Sequence, residues 1–466
     1  MHYKLKNNIA LRGWQKLPYA LTELDNSNVM FLGKVEFDAL SMCDGQTEIG
    51  PISTLPLYMD VIDKAKEMGI IEQCPKMHLR PWQKYHMYPS RYIDTAHWSI
   101  TGRCNYKCRH CYMSAPDAKF GELSREQCFS IIDQLHECGI KNVTLTGGEA
   151  LYRDDFWDLV DRLIAYGIQI QSIHSNGELV TEELLDALER RRIMPTFSIS
   201  FDGVGQHDWL RGIEGSEKTV INAFKLCRDR GYATNTELCL HQRNKHTLRE
   251  SINLLASLGV GSVKTNPASM SGAWIENAGD ANLTTQELYE VYLNYLPHYF
   301  EDGAPINIQL GGFFYGRKGE MKYMLPSVKC DGTDAAGRQV ICGHARKVMY
   351  ISAEGRILPC MSLSGLDVQK DYPLVTEIGL VKCLTDSAYM RLIGSTVADF
   401  LENCPECAEC EFKYQCCTGC RASAMDSGGD LMGPDRACCE IFKGGIIPRI
   451  IEAAKGAECV NYTLPD

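Results

Sequence analysis

The 466-residue chain is predicted to be an α/β protein built around a parallel sheet. Three observations lead there. Strand-like and helix-like runs alternate between residues 95 and 270, giving six strands with helices between them. A short α+β pattern precedes them in residues 1–90. Cysteine is spread unevenly: of 22, two fall in residues 1–100, seven in 101–329 and thirteen in 330–466. A chain of this length exceeds what one core usually supports, and these shifts divide it into 1–90, 91–270, 271–329 and 330–466.

In the first unit "YALTEL" (19–24) alternates as a strand, and "NVMFLGKVEFDALSMCDG" (28–45) reads as one helical run stopped by Gly45. Leu55, Leu57, Tyr58, Val61, Ile62, Ala65 and Met68 form a helical stripe closed by Gly69. Short strands with amphipathic helices suggest a winged-helix-like module. It lacks the basic patch that DNA binding requires, so a peptide is the expected partner.

The central region opens with "HWSIT" (97–101), then Ser124 and Gln127 make a capping box for "REQCFSIIDQLHECG". Strands follow at "NVTLT" (142–146), "IQIQSIH", "TFSISF" (196–201), "ATNTELCL" and "SVKTNP", each separated from the next by an amphipathic helix. The beat fits an open doubly wound sheet or part of a barrel. In both, chemistry gathers at the C-terminal ends of the strands. Residues 271–329 carry one helix, "TQELYEVYLNYLPHYF", and a glycine-rich turn, "LGGFFYG". From 330 on, periodicity is weak, and a domain with little core of its own, held by metals, is expected.

The net charge of −11 argues against a nucleic-acid surface. The N-terminus lacks a signal-peptide pattern, and no apolar run reaches the roughly 18 residues of a membrane span. A cytoplasmic protein with no membrane association is expected. In a reducing compartment 22 cysteines point to metal or redox chemistry rather than disulfides. Cys128, Cys138, Cys227 and Cys239 fall within regular segments and read as small apolar core residues.

The densest motif is "RCNYKCRHCYMSA" (103–115), with Cys104, Cys108 and Cys111 spaced Cys-x3-Cys-x2-Cys. A structural zinc wants four ligands. A four-iron cluster held by three thiolates keeps one iron free for an amine and a carboxylate. Companion motifs occur at strand ends: "TGGEA" (146–150), "HSNG" (174–177), "SISFDG" (198–203) and "HDWLRG" (207–212). Together these resemble the radical S-adenosylmethionine superfamily. The resemblance implies a partial (β/α)6 TIM-like barrel in which Cys104, Cys108 and Cys111 hold a [4Fe-4S] cluster. Gly147 and Gly148 then allow close backbone approach, Glu149 accepts the cofactor ammonium, and Ser175, Asn176, Ser200 and Asp202 bond its ribose and carboxylate. Arg211 either clamps a carboxylate or makes a surface salt bridge.

The C-terminal field has Cys342-x12-Gly355-x4-Cys360, then Cys407-x2-Cys410-x5-Cys416-x3-Cys420, then Cys438 and Cys439. This order resembles the SPASM extension of the superfamily, an iron–sulfur domain with two auxiliary [4Fe-4S] clusters. The resemblance implies one cluster on Cys407, Cys410, Cys416 and Cys438, with Cys439 as the alternative to Cys438. The other falls to Cys342, Cys360 and Cys420, with Cys330 as candidate fourth ligand; without Cys330 it keeps an open iron. Cys404 and Cys417 read as neighbours. With three clusters, S-adenosylmethionine and a PqqD-like leader-recognition unit at 1–90, the chain is similar to maturases of ribosomally made peptides. A precursor peptide with a leader and an electron donor such as flavodoxin or ferredoxin are the implied partners. Cysteine thioether formation is the expected chemistry. Carbon–carbon cross-linking, formylglycine formation on sulfatases, or a non-catalytic iron–sulfur electron carrier are the alternatives.

Overall fold

Alternation along the strands builds the centre of the molecule. Thr234–Leu240 alternates buried and half-buried side chains along its whole length, one set packing under helices and the other facing inward across the sheet. The computed structural model describes residues 1–26, 28–115, 119 and 121–462. Its parallel strands are β1 (Thr95–Ser99), β2 (Asn142–Thr146), β3 (Gln169–Ser175), β4 (Thr196–Ile199), β5 (Thr234–Leu240) and β6 (Ser262–Pro267). They pair in chain order, each with the next. A doubly wound sheet would reverse order at a switch point, so the alternative left open by the pattern resolves to a partial barrel.

Two further parallel strands extend the six. Asn307–Leu310 pairs with β6, and Val348–Ile351 pairs with β1. Neither was legible, because each is short and lies outside the stretch where strand and helix patterns alternate. Between the strands lie α1 (Arg125–Glu137), α2 (Phe156–Ala165), α3 (Glu182–Arg190), α4 (Ser216–Asp229) and α5 (Leu248–Ser257). The capping box on α1 forms as the sequence predicts, with Ser124 accepting from the Gln127 N–H.

Residues 1–90 fold around a four-stranded sheet and a two-stranded one, with helices Lys34–Ser41 and Pro56–Glu67. The single helical run expected over 28–45 is a strand, Val29–Phe31, followed by the helix from Lys34. Backbone pairing of Val29–Phe31 with Leu17–Glu23 outweighs the apolar periodicity that suggested helix. The unit docks on the end of α1, where Trp14 Nε1 donates to the Cys138 carbonyl at 3.2 Å and the Trp14 ring stacks on Tyr88.

The C-terminal region shares the barrel's core. Its described helices between 375 and 453 have at most eight residues. Leu380, Tyr389, Phe400, Ile441, Ile447 and Ile450 nevertheless belong to the same apolar core as the barrel. Apolar residues scattered over short helices show no period in sequence, yet they pack on the barrel's outer layer.

Candidate functional site

The loop after β1 carries Cys104, Cys108 and Cys111, all half-buried. It is pressed against the loop after β2. Gly148 N–H donates to the Thr101 carbonyl and Glu149 N–H to the Arg103 carbonyl, each at 2.9 Å. A Cβ on Gly148 would stand 2.2 Å from the Arg103 carbonyl oxygen and 3.0 Å from Cys104 Cβ. Gly147 has the same character, with the Thr101 oxygen 2.6 Å from a Cβ there. The two glycines thus let this backbone approach the cysteine loop.

Glu149 is 1% exposed. Its Oε2 accepts from the Asn176 N–H at 2.7 Å and its Oε1 from the Leu151 N–H at 3.2 Å. Burial lifts its carboxyl to about 7, against the downward pull of these donors. Ser175 and Asn176 follow at the end of β3. Ser175 Oγ accepts from the Gly177 N–H at 3.0 Å, and Asn176 Nδ2 donates to Asn105 Oδ1 at 2.7 Å, tying the β3 end to the cysteine loop. "HSNG" and "SISFDG" therefore close the third and fourth strands.

Ser200 and Asp202 follow β4. Ser200 is half-buried, its N–H bonded to the Ser175 carbonyl at 3.1 Å. Asp202 is fully buried and accepts from Arg211 Nε at 2.7 Å and from the Cys239 N–H at 3.2 Å. Burial would push its carboxyl up, but the Arg211 guanidinium and then His207 hold it far below the usual range. Arg211 is no surface residue: it is 8% exposed, and its Nη1 lies 3.8 Å from Cys108 Sγ. It comes from a five-residue helix, His207–Arg211, ended by left-handed Gly212. Asp202→Asn strands a buried guanidinium, so a destabilisation of about 3–5 kcal/mol is expected in chemical denaturation. A change below about 1 kcal/mol would show the pair to be dispensable.

Some residues here escaped the sequence reading. Cys128, Cys138 and Cys227 are fully buried as expected. Cys239 is not a plain core residue, for its thiol, His110 and Asp202 lie within 4.8 Å of one another. Its place beside Glu237 in an alternating strand was the available signal. Lower in the barrel, Lys264 Nζ lies 3.6 Å from Glu237 Oε1, and the His97 and His174 rings are 5.0 Å apart.

Ten of the thirteen C-terminal thiols fall into three groups. Cys407, Cys410, Cys416 and Cys438, with Cys439, line a small cavity of about 30 Å³ beside Phe412 and Phe442. Cys416 and Cys438 stand 3.5 Å apart. Burial raises the Cys360 thiol to about 12, and Cys420 and Cys342 are the thiols that add to it. Cys330 instead lies against Cys417, Sγ to Sγ 2.9 Å. Asp435 ties the first two groups together: it accepts from the Cys420 N–H at 2.8 Å and the Cys438 N–H at 3.2 Å. The first two groups suit iron–sulfur clusters in chemistry, being gathered thiols.

Residues 98–255, which span β1 to α5, match the profile of the Radical SAM superfamily. The barrel is a radical SAM domain. The chain is 26% identical over 376 residues to "Pre-heme d1 synthase" of Dinoroseobacter shibae, covering 76% of this chain and 90% of that protein. It is 24% identical to "Antilisterial bacteriocin subtilosin biosynthesis protein AlbA" of Bacillus subtilis, over 57% of this chain and 54% of that one. In fold it is similar to Streptococcus suis SuiB bound to precursor peptide SuiA. That match has a TM-score of 0.63 at 14% identity and covers 94% of this chain and 99% of that structure. No helix among the described residues is long and apolar enough to cross a membrane.

Proposed function

We propose that this radical SAM enzyme is a peptide maturase that cross-links a ribosomally made precursor, and that the bond it forms is a cysteine thioether. The observation that carries the first part is the likeness to SuiB. It extends over 94% of this chain, which leaves too little outside it to omit the N-terminal unit. That unit ends its four-stranded sheet at Val29–Phe31, an edge strand with Met30 and Phe31 exposed. An open edge beside apolar side chains suits the capture of a leader as an added strand.

In this reading Cys104, Cys108 and Cys111 hold the first cluster. Glu149 receives the cofactor ammonium, and Ser175, Asn176 and Ser200 lie where the ribose and carboxylate would be met. Asp202 acts by holding Arg211 beside Cys108. Bound there, an iron–sulfur cluster with S-adenosylmethionine would supply one-electron radical chemistry. Cys407, Cys410, Cys416 and Cys438 would hold one auxiliary cluster. Cys342, Cys360 and Cys420 would hold the other. The contact of Cys330 with Cys417 supports a site that leaves room for a substrate thiolate, and with it the thioether. A flavodoxin- or ferredoxin-type donor would supply the electron in a cytoplasmic setting.

A second reading, action on a haem-related tetrapyrrole, draws on the pre-heme d1 synthase match, which covers 90% of that protein. One experiment separates them. Short cysteine-rich peptides encoded beside the gene and, in a parallel incubation, a haem-precursor tetrapyrrole are incubated anaerobically with the reconstituted protein, dithionite and S-adenosylmethionine. The product should lack two hydrogens and resist thiol alkylation at one cysteine. Removing residues 1–90 should lower its yield by about tenfold or more while basal 5′-deoxyadenosine formation persists. Peptides left intact while a tetrapyrrole is turned over would favour the second reading. Undiminished yield from the truncated chain would remove the leader-binding role.

A further inference from the structure

We propose that Cys330 and Cys417 are a redox-active dithiol, separate from the cluster ligands, that closes to a disulfide by exchange with an oxidised low-molecular-weight thiol. The thiols lie 2.9 Å apart, Sγ to Sγ, across 87 positions of sequence. Both are free in this structure. They share a small apolar cluster with Ala336, Val397, Leu401 and Tyr414, apart from the main core.

The backbone explains why Cys417 leaves its neighbours. Cys416 lines the cysteine cavity, whereas Cys417 does not. Between them and Cys420 the chain passes through three successive left-handed residues, Cys417 at φ 48°, Thr418 at 78° and Gly419 at 70°. Two of these are not glycine, a conformation that costs energy and persists only where surrounding structure enforces it. The enforcement is visible on the other strand of the contact. Lys329 N–H donates to the Gln415 carbonyl at 2.9 Å, and Lys329 Nζ donates to the Gly419 carbonyl. Cys330 is thereby anchored beside the turn by its own neighbour in sequence. The turn presents Cys416 to one side and Cys417 to the other.

The chemistry balances with a disulfide oxidant such as oxidised glutathione. Cys330 is half-buried and is the entry thiol; Cys417 is 3% exposed. The Cys330 thiolate attacks the glutathione disulfide, forming a mixed disulfide and releasing one glutathione thiol. Cys417 then attacks the Cys330 sulfur, closing the Cys330–Cys417 bond and releasing the second glutathione. Two protein thiols lose two electrons and two protons, and one glutathione disulfide gains them. Cys417, the more deeply buried of the two, acts second. The bond would clip the start of the cysteine-rich region to the turn that carries Cys416 and Cys420.

The inference is independent of what the enzyme modifies. The anaerobically reconstituted full-length protein is treated with oxidised glutathione, alkylated, and digested without reduction for mass spectrometry. The expected result is a Cys330–Cys417 linked peptide that dithiothreitol removes, with iron and sulfide contents unchanged. Cys417→Ser should stop at the Cys330–glutathione mixed disulfide, with wild-type iron content. Absence of the linked peptide from loaded wild-type protein would overturn the proposal. So would Cys417 linked to a different cysteine, or a loss of about four irons per chain in Cys330→Ser or Cys417→Ser. The wild-type arm decides even if neither variant folds.

Discussion

Glu149→Gln is expected to weaken S-adenosylmethionine binding by about tenfold or more at pH 8 and to abolish its pH dependence below neutrality. The Glu149 carboxyl is buried, which raises it to about 7 from an ordinary value of 4.5, even though the Asn176 and Leu151 N–H groups favour its ionised form. Ser175 and Glu178 also face it, the first favouring the charge and the second opposing it. A neutral acid cannot pair with an ammonium. In the wild type each pH unit below 7 should therefore cost about tenfold in affinity, reaching a plateau above 7. The stability of the unliganded protein carries the opposite sign. The folded state holds this proton more tightly than the unfolded chain does. Its contribution is complete below pH 4.5 and is lost as pH rises to 7, by an amount on the order of 3 kcal/mol. Equilibrium dialysis of labelled cofactor and denaturation across pH 5–8 measure the two slopes. A variant that retains the wild-type affinity slope would place the ammonium elsewhere.

Gly148→Ala is expected to empty the first cluster site, lowering iron by about four atoms per chain and ending 5′-deoxyadenosine formation. The added Cβ meets backbone and the first atom of a side chain, at 2.2 Å from the Arg103 oxygen and 3.0 Å from Cys104 Cβ. Neither is the free end of a flexible side chain, so residues 103–104 must move, and Cys104 moves with them. Gly394→Ala is the control, because nothing lies within 4 Å of a Cβ there. Iron assay and electron paramagnetic resonance of both variants check the result. Full iron in Gly148→Ala would mean that the loop shifts without cost.

The barrel strands and the residues beside them were legible because their signals are local. "TFSISF" and "ATNTELCL" alternate with period two, and α1 carries its capping box within four residues, Ser124 to Gln127. The strand Val348–Ile351 was not, because a four-residue strand is defined by its partner, and that partner, β1, lies some 250 positions away. Arg211 shows the same limit in the site. Nothing in "HDWLRG" distinguishes a surface salt bridge from a buried pair. Its burial beside Asp202 and Cys108 comes from the fold's joining of the β4 end to the cysteine loop.

By itself, the sequence determined the chemistry available: three thiols one ligand short, the glycine pair with Glu149, and an ordered field of C-terminal cysteines. Residue type and short spacing carry that information, since a thiol is a ligand and a glycine lacks a Cβ wherever each is placed. Only the tertiary structure decided which distant groups meet. It paired Asp202 with Arg211, and it set Cys330 against Cys417. Those choices follow from packing and from a left-handed turn enforced across the chain by Lys329. Contacts between residues far apart in sequence leave no local period to read.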